Sequence, residues 1–262
     1  MDLQISGRKA LVLGASSGLG RGVAEALAAE GVHIVLAARA SDRLKEAAMA
    51  IASQHSVQTV ALPVDLSDSA SVEEFVQAIR TQHPDISILV NNTGGPSPSG
   101  VEGISGDTWK QQFETMVLSL FRITDAVLPG MKERRWGRIL TIASAVVVEP
   151  NIRLGVSVTL RSALAGWSKT LATEVAPDGV TVNMLLPGHI TTDRTHFLAE
   201  AEARKTGKTP EAVQEEKARN IPVGRYGTVE EFGATAAFLA STAAAYITGS
   251  MIRIDGGALK SI

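Results

Sequence analysis

Short aliphatic or β-branched runs alternate with longer amphipathic stretches along nearly the whole chain, and this alternation limits the fold more than any other feature. KALVL precedes an amphipathic stretch from about Gly18 to Glu30, HIVLAA one from about Ser41 to Gln54, and VQTVAL one from Ser69 to His83. ISILV leads into a long stretch from about Asp107 to Arg134, and GRILTIA into one from about Leu154 to Ala176. VTVNML follows, and a last stretch, about Val229 to Ser241, precedes SMIRID. The apolar runs have the length and residue types of strands, and the stretches between them have helical period. Regular β-α alternation predicts an α/β fold with a seven-stranded parallel sheet and helices on both faces. Runs such as ILTIA and SILV are apolar almost without interruption, as strands buried on both faces require.

No low-complexity tract, internal repeat or Pro/Gly-rich linker divides the 262 residues, so a single domain over 1–262 is expected. One region breaks the rhythm. Thr191 to Gly227, containing HFLAEAEARKTGKTPEAVQEEKARN, reads as a covering loop, a lid over a substrate. The formal net charge is −2 and the basic residues are scattered, which argues against nucleic acid or an anionic membrane as partner. Without cysteine there is no disulfide framework and no thiolate metal site, and no metal is expected. The start, MDLQISGRKALVLG, lacks a basic region followed by an apolar stretch and cleavage site, and no apolar run reaches membrane-spanning length. The expectation is a cytoplasmic protein.

LGASSGLG follows the first strand directly, with glycines at Gly14, Gly18 and Gly20. The first glycine permits the sharp turn, and the later ones let a phosphate and the next strand approach the backbone without a Cβ between. The helix that opens there offers unpaired N–H groups and partial positive charge to a pyrophosphate. Ser16, Ser17 and Leu19 of the same turn belong to this candidate cofactor site. An acid about 20 residues further on selects NAD, and a basic residue selects NADP. The second strand ends at Ala37-Ala38-Arg39 with no acid, so Arg39, with Arg43 as a possible helper, points to NADP(H) in preference to NAD(H). The plainer reading of Arg39 is a solvated arginine at a strand end.

GASSGLG, VDLSD, NNTGG, AVLPGM, GRILTIAS, GVTVNMLLPG, IPVGR and YITGSMIRIDGG stand in that order along the chain. Together they resemble the short-chain dehydrogenase/reductase family over essentially the whole length, and within it the 3-oxoacyl-acyl-carrier-protein reductase type. The resemblance implies a doubly wound Rossmann fold. It places Asp65 and Leu66 at the adenine, although an aspartate there also suits a helix cap. It places Asn91, Thr93 and Gly94 on the adenosine ribose side and against the central sheet, although NN-G is also a turn former. It places Ile190 and Thr192 at the nicotinamide carboxamide and the pyrophosphate, although this is also a plain loop start shaped by Pro187 and Gly188.

Family catalysis uses an Asn-Ser-Tyr-Lys set: the Tyr donates the proton, the Lys lowers its pKa and holds the ribose, the Ser binds the carbonyl, and the Asn anchors a water relay. Here the Ser position holds Ser144. The other three hold Met116, Ser157 and Arg161. Only Tyr226 and Tyr246 are tyrosines, and neither stands where a replacement would be expected. Ser157 is a far weaker acid than a phenol, and Arg161 stays charged, faces the same side one helical turn away, and remains able to bind the cofactor's ribose hydroxyls or polarise a carbonyl. His189, beside the presumed nicotinamide, is a surrogate acid, with an ordinary surface histidine as the plainer reading; His196 is a weaker choice. Two functions follow from this pattern. One is an NADP(H)-dependent oxidoreductase interconverting a small carbonyl substrate and its alcohol, with Ser144, Ser157 and Arg161 as its catalytic groups. The other is a catalytically impaired NADP-binding protein, a sensor or structural subunit. The resemblance also implies a homotetramer or homodimer through the helices around 107 to 134 and 154 to 176 and the C-terminal strand.

Overall fold

The computed structural model describes residues 2–39 and 41–261. Its first half runs β1 (Lys9–Leu13), α1 (Gly18–Ala29), β2 (His33–Ala38), α2 (Asp42–His55), β3 (Thr59–Pro63), α3 (Ser69–Gln82) and β4 (Ile88–Asn91). The chain continues through α4 (Gly106–Phe113), a π-helical turn at Glu114–Leu118, α5 (Ser119–Glu133), β5 (Gly137–Ile142), α6 (Gly155–Val175) and β6 (Val180–Pro187). It closes with α7 (Asp193–Thr206), α8 (Pro210–Arg219), α9 (Val229–Leu239) and β7 (Met251–Ile254). All seven strands pair in parallel in the order β3-β2-β1-β4-β5-β6-β7. The order reverses between β1 and β4, so their carboxyl ends border the crevice where doubly wound sheets bind ligands.

Strand alternation divides the core into two layers. Ala10 and Val12 of β1 face one layer, with Leu27 of α1, Ile51 of α2 and Phe232 of α9. Leu11 and Leu13 face the other, with Phe75 of α3, Leu120 of α5 and Leu164 of α6. Helix α1 lies against α9 almost backbone to backbone, because a Cβ on Gly233 would fall 2.6 Å from the Gly22 carbonyl oxygen. That contact fixes the tilt of α1, and so the direction of its amino end.

The region 191–227 departs from the sequence expectation. It is a helical pair rather than a covering loop, with Ala199 and Ala203 of α7 packed on Val213 of α8 in a small cluster of their own. Caps explain why so charged a segment is helical: Thr192 accepts from the Thr195 N–H at 3.3 Å, and Thr209 accepts from the Ala212 N–H at 3.2 Å ahead of Pro210. The long stretch expected from Asp107 to Arg134 is likewise broken, by the π turn. Among the described residues no helix is long and apolar enough to cross a membrane.

Candidate active site

The glycine turn packs as the sequence pattern requires. Gly14 and Gly18 both have positive φ, and a Cβ on Gly20 would meet the Gly14 carbonyl oxygen at 2.4 Å. Helix α1 can therefore start only a turn away from β1. Six helices, α2, α3, α4, α7, α8 and α9, have an N-cap side chain that accepts a hydrogen bond from the first turn. Ser17, the N-cap of α1, makes none. The first amides of α1 are thus left for a ligand, at the positive end of the helix. They open into a cavity of about 340 Å³ bordered by Ser17, Gly18, Arg43, Thr191, Thr192 and Asp193. Across it, the Thr192 methyl lies 3.7 Å from where a Cβ on Gly18 would sit, so the amino ends of α1 and α7 face each other. Both ends favour an anion, and the residues present fit the phosphate bridge of a dinucleotide.

The other expected cofactor residues follow the same edge of the sheet. Arg39 is exposed at the end of β2. Arg43 is not available beside it, because its guanidinium pairs with Asp193 at 2.6 Å and joins α2 to α7. Asp65, with Leu66 beside it, follows β3; its Oδ1 accepts from the Ser67 N–H at 2.9 Å and the Ser67 hydroxyl at 2.6 Å. Those bonds, ahead of the charge of Arg39, hold its carboxyl below the ordinary range. Asp65 is not the helix cap: Asp68 caps α3 by accepting from the Ala70 N–H.

Asn91 is fully buried, donates from Nδ2 to the Thr124 hydroxyl at 3.2 Å, and leaves its Oδ1 without a partner. Its side chain braces β4 against α5 and does not reach the cleft. Asn92, which the sequence reading passed over, does: its Nδ2 donates to the Leu13 carbonyl and lies 2.5 Å from where a Cβ on Gly14 would be. Thr93 is buried, while Gly94 is exposed, with open space where a Cβ would be. Beyond β6, Gly188 presses on Asp255, with a Cβ position 2.8 Å from its Cα. The Ile190 side chain is buried against Gly227, so it presents only backbone. Thr192 does double duty, as cap of α7 and as cleft wall.

Ser144 lies two residues past β5, half-buried, and accepts from the Val146 N–H at 3.4 Å. Arg161, one turn along α6 from Ser157, is 9% exposed and donates from Nε to the Ser157 oxygen at 3.2 Å. Its Nη1 donates to the carbonyls of Ile142 at 3.1 Å and Ala143 at 2.8 Å, the two residues before Ser144. One guanidinium therefore ties Ser157 and α6 to the carbonyls at the end of β5, immediately before Ser144 in the chain. Burial, and then the charge of Arg194, lower its pKa to about 10, so it remains a cation at neutral pH. Met116 lies within the π turn and is completely buried.

His189 is exposed in its loop, with its ring 5.1 Å from that of Tyr226. The aromatic partner is close in space although it is remote in the sequence. Burial pushes the Tyr226 phenol up, the opposite of what activation needs. His196 lies on the outer face of α7, beside Glu200 and Gln214, and belongs to the helix surface. Burial first, then Lys217, hold His189 below the ordinary imidazole value of 6.5; burial first, then Lys9, do the same for His83. The unfolded chain binds these two protons more readily than the folded one, so stability falls as the pH drops below that value. Thermal melts will show a lower Tm at about pH 5 than at about pH 7, and replacing both histidines with glutamine narrows the gap.

A family model described as enoyl-(acyl carrier protein) reductase matches residues 14–258. Among curated proteins, 3-oxoacyl-[acyl-carrier-protein] reductase FabG of Escherichia coli (strain K12) is 35% identical over 255 residues, 97% of this chain and 98% of that protein. The NADPH-dependent reductase BacG of Bacillus subtilis (strain 168) is 32% identical over 259 residues, 98% of this chain and all of its own. Among solved structures, L-sorbose reductase from Gluconobacter frateurii, complexed with NADPH and L-sorbose, superposes with a TM-score of 0.94 at 35% identity, covering 100% of both chains. A likeness that extends over nearly the whole length, in sequence and in backbone alike, makes this chain a member of the short-chain dehydrogenase/reductase family.

Proposed function

We propose that the protein is an NADP(H)-dependent oxidoreductase that interconverts a carbonyl and an alcohol through a non-standard catalytic site. The observation that carries this reading is the uncapped amino end of α1 facing that of α7 across an open cleft, with Arg161 holding Ser157 and the Ala143 carbonyl, next to Ser144 in the chain, at the neighbouring strand end. A bound dinucleotide supplies or accepts the hydride. Ser157 accepts from Arg161 Nε, which leaves its own proton free to point at a substrate oxygen, and Ser144 offers a second hydroxyl. Arg161 remains charged and steadies negative charge that develops on that oxygen. Water or His189 supplies the proton. The α7–α8 pair is the substrate lid of a single-domain chain. Met251 is 48% exposed on the edge strand β7, a surface suited to assembly as a homodimer or homotetramer.

A second reading, an NADP-binding protein without turnover, is favoured by one observation: three donors of Arg161 already serve Ser157, Ile142 and Ala143, and no phenol stands beside them. Calorimetric titration with NADPH and NADH, followed by a turnover screen over carbonyl substrates, separates the two. Binding with NADPH oxidation supports the first, binding alone the second, and uptake of neither dinucleotide sinks both. NADP selectivity has its own test. Arg39→Ala is expected to lower NADPH affinity about 10-fold, the loss of one charge-assisted phosphate contact, with NADH affinity unchanged. Equal loss for both would make Arg39 a general surface cation.

A further inference from the structure

Arg161 and Arg194 are a pair of like charges that no group among the described residues neutralises. Nε and Nη1 of Arg161 are engaged by Ser157, Ile142 and Ala143, while Nη2 of this 9% exposed side chain donates to no group among the described residues. Arg194, in the first turn of α7, donates to the Pro96 carbonyl at 3.1 Å. Among the described residues neither arginine forms an ion pair, whereas nearby Arg43 is matched by Asp193. Both Nη2 atoms lie 3.8 Å from where a Cβ on Gly95 would sit, so they straddle that glycine at no more than twice this distance. Gly95 is exposed and has no side chain to occupy the space.

Two cations so placed repel, and Arg194 acts on Arg161 second only to burial. Arg161 Nη2 is not among the buried polar atoms left without a partner, so its free N–H groups reach solvent, where an anion can join two cations that lack a counter-charge. Paired N–H donors suit a carboxylate, which can accept two at once.

We propose that the cleft binds an anionic carbonyl compound, with its carboxylate between Arg161 Nη2 and the Arg194 guanidinium above Gly95; on the oxidoreductase reading given above, this ligand is the substrate. The Arg161 group also sets the spacing. Nε is bound at Ser157, where the carbonyl oxygen is to sit, and Nη2 belongs to the same small planar group. Only a few atoms separate the two ends of the ligand, which makes it a 2-oxo or 3-oxo carboxylate.

The test is calorimetric titration of the full chain, saturated with NADP, using acetoacetate and its neutral counterpart methyl acetoacetate. Acetoacetate is expected to bind tighter than the ester by about 10-fold or more, a preference that Arg194→Ala removes and Arg194→Lys partly keeps. NADPH affinity is unchanged in both variants. Equal affinity for acid and ester in the unaltered protein overturns the proposal. So does an Arg194→Ala variant that loses NADPH and acetoacetate binding alike, because the arginines then serve the dinucleotide phosphates. Arg194-dependent binding of acetoacetate, with no NADPH oxidised when NADPH and acetoacetate are mixed with the protein in a separate absorbance assay, upholds the anion site and defeats the oxidoreductase reading alone.

Discussion

Placing tyrosine at Ser157 and lysine at Arg161 together raises single-turnover carbonyl reduction by NADPH by about 100-fold or more, the scale of a positioned general acid. The expectation rests on proton affinity. A phenol titrates near 10 and a neighbouring cation brings it lower, whereas an aliphatic hydroxyl is a much weaker acid. The two positions already touch, since Arg161 Nε meets the Ser157 oxygen at 3.2 Å. Lysine cannot reproduce the fork that Arg161 extends to Ile142 and Ala143, so the faster enzyme is also less stable, by about 1–3 kcal/mol for carbonyls left short of a donor. Stopped-flow absorbance of NADPH and a thermal melt on one preparation read both effects. An unchanged rate with NADPH still bound would mean that the substrate pocket, rather than the missing acid, limits the reaction.

Gly20→Ala removes dinucleotide binding and destabilises the fold by about 3 kcal/mol or more. The added methyl would meet three backbone atoms, the Gly14 oxygen at 2.4 Å, the Gly14 carbonyl carbon at 2.7 Å and the Leu13 oxygen at 2.8 Å, none of which can turn aside. To clear them α1 must move, yet Gly22 and Gly233 hold it against α9. The control is Gly166→Ala within α6, where a Cβ has nothing within 4 Å; there alanine is expected to stabilise by about 0.5–1 kcal/mol. Urea titration and NADPH calorimetry read both variants. Equal, small effects would show that the turn tolerates a shift of the helix.

The sheet was legible in the sequence because strand length, apolar content and spacing are local properties: all seven runs, from KALVL to SMIRID, became paired strands. The turn at Gly14–Gly20 was legible for the same reason. What stayed hidden depends on contacts between remote segments. HFLAEAEARKTGKTPEAVQEEKARN has little apolar periodicity, and its helices stand on the Thr192 and Thr209 caps and on three small buried residues. The two adjacent asparagines looked alike in sequence, but Asn91 is directed into the core and Asn92 onto the glycine turn. Arg161 was recognised as a cation near Ser157, yet its grip on the Ile142 and Ala143 carbonyls, and the company of Arg194, exist only in three dimensions.

The π turn at Glu114–Leu118 bears on how this protein is aligned with its relatives. A π turn takes in one residue more than an α turn, so two related helices can be matched there in registers that differ by a single position. Sliding the comparison forward exchanges Met116 for Val117, which is equally buried and equally apolar. Sliding it back brings in Thr115, whose hydroxyl already donates to the Gln111 carbonyl at 3.0 Å. Every register therefore leaves this position without a side-chain amide, the group to which the family resemblance assigns the anchoring of a water relay.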